Sequence, residues 1–110
     1  MKSKTLGIWQ ILNSEIITDI IGSADFDFVI FDLEHGLHDA LTVQKCLYAA
    51  KSRGIESFAR VPSLNYLEIV KLVDTGIDGV IIPHIESKKD LNLIKKFYLT
   101  PSLGGDRSIS

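Results

Sequence analysis

The sequence predicts an α/β fold of the (β/α)8 TIM-barrel type, in which residues 1–110 supply about the first four βα units of one incomplete domain. Three observations lead there. Short apolar runs alternate with amphipathic segments in the order βαβαβαβα, a pattern that argues for a parallel sheet with right-handed crossovers. After the first run, where a doubly wound nucleotide-binding sheet would carry G-x-G-x-x-G, the chain reads "QILNSE". Eight barrel units occupy roughly 250 residues, so four fit a chain of 110 residues.

The first strand is expected over about Leu6 to Leu12, followed by Asn13 and Ser14, either of which can cap a helix. In that helix Ile16, Ile17, Ile20 and Ile21 share one face, and Gly22 stops it. The second strand is Phe26 to Leu33. Asp39 caps the next helix, which buries Val43, Cys46, Leu47 and Ala50 and ends in the "KSRG" of residues 51–54, with basic residues and glycine where a helix C-terminus favours them. The third strand covers Glu56 to Val61 and is closed by Pro62. Asn65 is the next cap, and Tyr66, Ile69, Val70 and Val73 recur at helical spacing up to Gly76. The fourth strand is Gly79 to Ile82. Ser87 opens a last helix carrying Leu91, Ile94 and Phe97, and "TPSLGGDRSIS" reads as loop.

Composition narrows the function classes. A net charge of −2 with scattered signs gives no basic stripe for nucleic acid. No run approaches the ~20 apolar residues of a membrane span, and the N-terminal "MKSKTLGIWQILNSE" is too short in its apolar part for a signal peptide. The single cysteine, Cys46, lies on an apolar helix face and reads as a buried thiol in a reducing compartment. The expectation is a cytoplasmic protein with no nucleic-acid or membrane partner.

In parallel α/β folds the chemistry gathers at the carboxyl ends of the strands. Strand one delivers Trp9 and Gln10 there, strand two Asp32, Glu34 and His35, strand three Arg60, and strand four Pro83 and His84. A histidine three residues from a carboxylate can be held in one tautomer for acid–base work. Arg60 can clamp a carboxylate or stabilise an oxyanion with its planar fork of donors. Together they suit proton abstraction next to a carbonyl. The spacing is equally compatible with Asp32 and His35 satisfying loop backbone groups while Arg60 pairs with Glu34. Trp9 also reads as core, and His38 and His84 as loop histidines. Asp32 and Glu34 are also candidate metal ligands, but no second acidic cluster at ligand spacing completes a site, so no metal centre is assigned within the chain.

"GIWQILNS" from Gly7, "FDFVIFDLEHG" from Phe26, "ARVP" from Ala59 and "LVDTGIDGVIIPHIES" from Leu72 resemble, in order and spacing, the HpcH/HpaI family of class II pyruvate aldolases. The most specific piece is Asp-x-Glu-His-Gly, followed about twenty-five residues later by Arg-Val-Pro. The resemblance implies a TIM barrel acting on a small 2-oxo acid, with a divalent cation, Mg2+ or Mn2+, at the pyruvate. Carried over by motif, the catalytic residues are His35, Asp32 and Arg60, with Trp9 and Arg60 binding substrate; Glu34 is separately expected to support them from behind. The metal ligands are expected beyond Ser110, and a homo-oligomer is expected. The family usually reads Pro-x-Gly-x-Arg-Gly where this chain reads "PSLGGDRS" from Pro101, so Arg107 receives no role.

Two functions follow from the sequence. One is a metal-dependent aldolase or lyase that cleaves a 4-hydroxy-2-oxo acid to pyruvate and an aldehyde, inactive as the isolated chain. The other is a non-catalytic half barrel, or truncated relic, that self-associates or binds a partner through its uncovered face.

Overall fold

A computed structural model describes residues 5–92. Four strands, β1 (Gly7–Gln10), β2 (Phe28–Asp32), β3 (Glu56–Arg60) and β4 (Gly79–Ile81), form one sheet in the order β1-β2-β3-β4. All three pairings are parallel. Each crossover therefore places the next strand beside the last, on the same side, with none of the order reversal of a doubly wound sheet. Sequential order of this kind is the arc of a barrel wall.

Three helices fill the crossovers, α1 (Glu15–Ser23), α2 (Ala40–Ser52) and α3 (Tyr66–Asp74). Each starts at a side-chain cap that satisfies an otherwise unpaired backbone N–H. Ser14 accepts from Ile16 N, Asp39 from Thr42 N and Asn65 from Glu68 N. At α2 the Thr42 hydroxyl also accepts from Asp39 N, closing a reciprocal capping box. Ser87 likewise accepts from Asp90 N where a further helical segment opens at Lys88. Leu91 lies in that segment; the expected Ile94 and Phe97 face, and Arg107, lie outside the described residues.

Strand residues alternate between two faces. Val29, Phe31, Ala59 and Val61 point to the helices and are fully buried with Val43, Cys46, Ala50, Ile69 and Leu72. The other face carries Trp9, Phe28, Ile30, Asp32, Phe58 and Arg60. There Phe28 packs edge-on to Phe58, with ring centroids 5.8 Å apart. Gly7 and Gly79, in register with Phe28 and Phe58 respectively, leave the room these rings occupy. At the amino ends of the strands two aspartates pin the sheet: Asp27 accepts from Leu6 N and Asp78 from Ser57 N, each at 2.8 Å.

The structure corrects some expectations. Each strand is shorter than its apolar run, because pairing ends where the chain turns into the loops. Helix α1 runs through Gly22 and stops only at Ala24 and Asp25, the latter with φ of 62°. The four isoleucines of α1 do not share a buried face: Ile21 and Thr18 are buried, whereas Ile16 and Ile20 are exposed. Thr18 is drawn inward because its hydroxyl donates to the buried Gln10 Oε1 at 2.8 Å. Leu72, rather than Tyr66, is the buried partner of Ile69 in α3.

Candidate active site

The alternation of β1, β2 and β3 brings Trp9, Asp32 and Arg60 to the carboxyl end of one face. Asp32 is in register with Arg60. Arg60 Nε donates to Asp32 Oδ1 at 3.1 Å and Nη2 to Oδ2 at 2.6 Å, a bidentate pair. Asp32 is 1% exposed. The guanidinium also lies over the Trp9 ring, 4.4 Å from its centroid, in a cation–π contact. Trp9 is 46% exposed, so it forms a wall of the site rather than part of the core.

Asp32 has a second task. Its Oδ1 accepts from the backbone N–H groups of Glu34 at 3.0 Å and His35 at 3.1 Å. Burial pushes its carboxyl up, but the Arg60 bonds and the two backbone donors together outweigh that and hold it below the usual carboxylate value. The tight loop after β2 needs Gly36: a Cβ there would sit 2.3 Å from the Asp32 carbonyl oxygen and 3.1 Å from that of Ile11. Leu37 N donates to the same Ile11 carbonyl, tying the loop to the end of β1.

Asp32 meets His35 through the backbone and not through the imidazole. The imidazole faces Glu34, with Nε2 3.4 Å from Oε1, and is 70% exposed at the mouth. Glu34 is the hub of the outer layer. Its Oε1 is also 3.4 Å from Arg60 Nε, and its Oε2 is 3.2 Å from His84 Nε2. Its side chain is only 13% exposed. The Arg60–Glu34 pairing expected from the sequence is thus present, but the closer partner of Arg60 is Asp32, a pairing that the sequence reading did not include.

Three residues play parts that their sequence context did not reveal. His84, expected as a loop histidine, reaches the site from the end of β4, the one signal being its place after a strand. His38 is buried rather than looped out, its ring 5.3 Å from that of Phe31. Gln10, the other residue expected at the mouth, turns to the helix side, where its amide donates to the carbonyls of Leu12 and Ser14.

Among the described residues no group of three or more His, Cys, Asp or Glu is arranged to hold a metal ion. Both Asp32 oxygens are engaged by Arg60, and Glu34 is shared by Arg60, His35 and His84. This donor set does not fit a resident divalent cation. Among the described residues no helix is long and apolar enough to cross a membrane.

Comparison with known proteins agrees with this architecture. Residues 5–108 match the family described as HpcH/HpaI aldolase/citrate lyase. The 5-keto-4-deoxy-D-glucarate aldolase of Escherichia coli (strain K12) is 33% identical over 92 residues, which are 84% of this chain and 36% of that protein. Citrate synthase SbnG superposes with a TM-score of 0.87 at 27% identity, over 96% of this chain and 42% of that one. Macrophomate synthase gives 0.81 at 27% identity, over 96% and 36%. An HpcH/HpaI aldolase from Desulfitobacterium hafniense DCB-2, at 23% identity and a TM-score of 0.85, shares the fold. The chain spans about a third of the length of the curated relatives it matches, and its parallel sheet is a segment of their TIM barrel. It belongs to the HpcH/HpaI aldolase/citrate lyase family.

Proposed function

We propose that this chain is the N-terminal part of a class II pyruvate aldolase domain, a carbon–carbon lyase that cleaves a 4-hydroxy-2-oxo acid to pyruvate and an aldehyde. The observation that carries the reading is Arg60, locked by Asp32 and laid on Trp9, beside an exposed imidazole on Glu34. With Nε and Nη2 facing Asp32, the guanidinium keeps its Nη1 hydrogens for an incoming anion. A 2-oxo acid bound there places the oxygen that becomes the enolate against a fixed positive charge.

Retro-aldol cleavage then needs one proton acceptor. His35 takes the proton of the C4 hydroxyl, the C3–C4 bond breaks, and its electron pair moves onto the C2 oxygen as the enolate. The imidazolium returns the proton to C3, giving pyruvate. Asp32 is a positioning residue in this scheme: it aims Arg60 and holds the loop that carries His35. The Mg2+ or Mn2+ that the resemblance implies would take its ligands from residues beyond Ser110. The reading includes a cytoplasmic setting, supported by a free, buried Cys46 that suits a reducing compartment.

The test is proton exchange at the pyruvate methyl in D2O, followed by NMR in the complete enzyme containing this chain, with Mg2+ or Mn2+ present. Exchange reports enolisation without any aldehyde. His35→Ala is expected to slow exchange and aldol cleavage by ~10²–10⁴-fold with a smaller effect on pyruvate affinity. Wild-type exchange in His35→Ala would make His35 a loop histidine and end this mechanism.

A second reading, a half barrel that self-associates, is favoured by the exposed Leu12, Ile16 and Ile20 and by the exposed Trp9. Among the described residues β1 and β4 also each have one unpaired edge. Sedimentation of the 110-residue chain separates the two: a defined homo-oligomer supports the module, and aggregation supports a segment of a larger barrel.

A further inference from the structure

His84 stands apart from the other groups of the mouth. It follows Pro83 beyond the end of β4 with φ of 60°, a left-handed backbone that a residue with a Cβ adopts at a cost. Such strain persists where surrounding structure holds it, and it gathers at ligand sites. The hold is visible here: His84 Nε2 is hydrogen-bonded to Glu34 Oε2 at 3.2 Å, across fifty residues of sequence. The side chain is nevertheless 73% exposed, while its partner is 13% exposed. A carboxylate only accepts, so the Nε2 atom carries the hydrogen. In the neutral ring Nδ1 is then left as an acceptor, and it has no protein partner among the described residues.

The order across the mouth adds a direction. Arg60 Nε lies 3.4 Å from Glu34 Oε1 and His84 Nε2 lies 3.2 Å from Glu34 Oε2, so the two side chains share one carboxylate through different oxygens. Sharing that carboxylate puts His84 within reach of the other end of a ligand whose 2-oxo acid end is held at Arg60. An exposed acceptor there, next to a carboxylate, suits a hydroxyl group rather than a second carboxylate, which Glu34 would repel.

We propose that His84 is a specificity-determining residue: fixed by Glu34 at the mouth, its free ring nitrogen accepts a hydrogen bond from a hydroxyl on the aldehyde-side fragment of the substrate. The inference rests on the aldolase reading above and deepens it by assigning the residue that reads the tail.

The test is the ratio of kcat/KM for aldol addition of pyruvate to glycolaldehyde and to acetaldehyde, which differ by one hydroxyl, in the complete enzyme. His84→Gly relieves the left-handed backbone and removes the acceptor. His84→Asn tolerates that backbone and restores an acceptor oxygen. The unaltered enzyme is expected to favour glycolaldehyde, His84→Gly to lower that preference about tenfold, the size of one lost hydrogen bond, and His84→Asn to recover most of it. An unchanged preference in His84→Gly, with pyruvate methyl exchange present in the unaltered enzyme, overturns this inference alone. Absence of exchange in the unaltered enzyme overturns the aldolase reading and this inference with it.

Discussion

Arg60 holds Asp32 through two hydrogen bonds from a strand neighbour in exact register, Nε to Oδ1 at 3.1 Å and Nη2 to Oδ2 at 2.6 Å. The same carboxylate carries the loop of Glu34 and His35 on its Oδ1. One buried acid therefore orients both the anion clamp and the loop with the imidazole.

Arg60→Ala should damage fold and function together. It leaves the buried Asp32 without its counter-charge, which lowers the urea midpoint and raises the carboxyl pKa toward or above its ordinary value. In the complete enzyme it should cut kcat/KM by roughly 10- to 100-fold, the scale of lost hydrogen bonds to a charged ligand. Arg60→Lys keeps a charge but loses the planar fork, so it should recover part of the stability and little of the activity. Equal activity in Arg60→Lys and the unaltered enzyme would contradict a bidentate role.

Stability should fall on mild acidification because of His38. Burial pushes this imidazole below its ordinary value, while the nearby Leu12 carbonyl and the charges of Asp32 and Asp39 offset part of that. Its Nε2 is buried with no hydrogen-bond partner among the described residues. Above an unfolded-state pKa of about 6.5 the ring is neutral in both states and its protonation makes no contribution to stability. As pH drops below that value the unfolded chain takes up a proton that the native site resists, so stability is lost until the lowered native pKa is passed. The slope in this window is at most about 1.4 kcal/mol per pH unit for one group. Urea midpoints measured from pH 7 to pH 4.5 should show a smaller decline in His38→Gln than in the unaltered chain.

Gly36→Ala should open the β2 loop. The added methyl meets two carbonyl oxygens, those of Asp32 and Ile11, which are backbone and cannot swing aside. The expected result is weaker protection of the Glu34 and His35 amides in hydrogen exchange, with strand β3 unaffected. Undiminished protection at both amides would show that the loop absorbs the methyl elsewhere.

Trp9 is the chain's single tryptophan, so its fluorescence reports the Arg60 contact without ambiguity. Arg60→Ala should change the emission, because it removes a cation 4.4 Å from the ring centroid and admits water to that face. In the complete enzyme with any tryptophan other than Trp9 replaced by Phe, pyruvate should alter the emission of the otherwise unaltered protein and not that of Arg60→Ala. The same response in both proteins would place the ligand away from this guanidinium.

Much of this architecture is legible in the chain because its signals are local. The caps at Ser14, Asp39 and Asn65 act over two or three residues, and the apolar runs of β2 and β3 need only the two-residue alternation of a strand. The strand-end position of Asp32, Glu34, His35, Arg60 and His84 follows from parallel topology alone. Element ends were less legible: Gly22 reads as a helix stop, yet the helix continues because its backbone keeps its bonds until Asp25 turns left-handed.

Residue types, their order and their arrival at one end of a parallel sheet are written in one dimension. Which atoms meet is decided by the fold. Asp32 chooses Arg60, twenty-eight residues away, and leaves the His35 imidazole to Glu34, because register puts Asp32 and Arg60 level on adjacent strands. Thr18 goes inward and Ile16 outward because a buried amide, that of Gln10, needs a hydroxyl partner more than the core needs another methyl group. Glu34 reaches His84 because β3 brings β4 alongside, fifty residues on. Hydrogen-bond geometry and burial depend on these distances through space, and separation along the chain does not encode them.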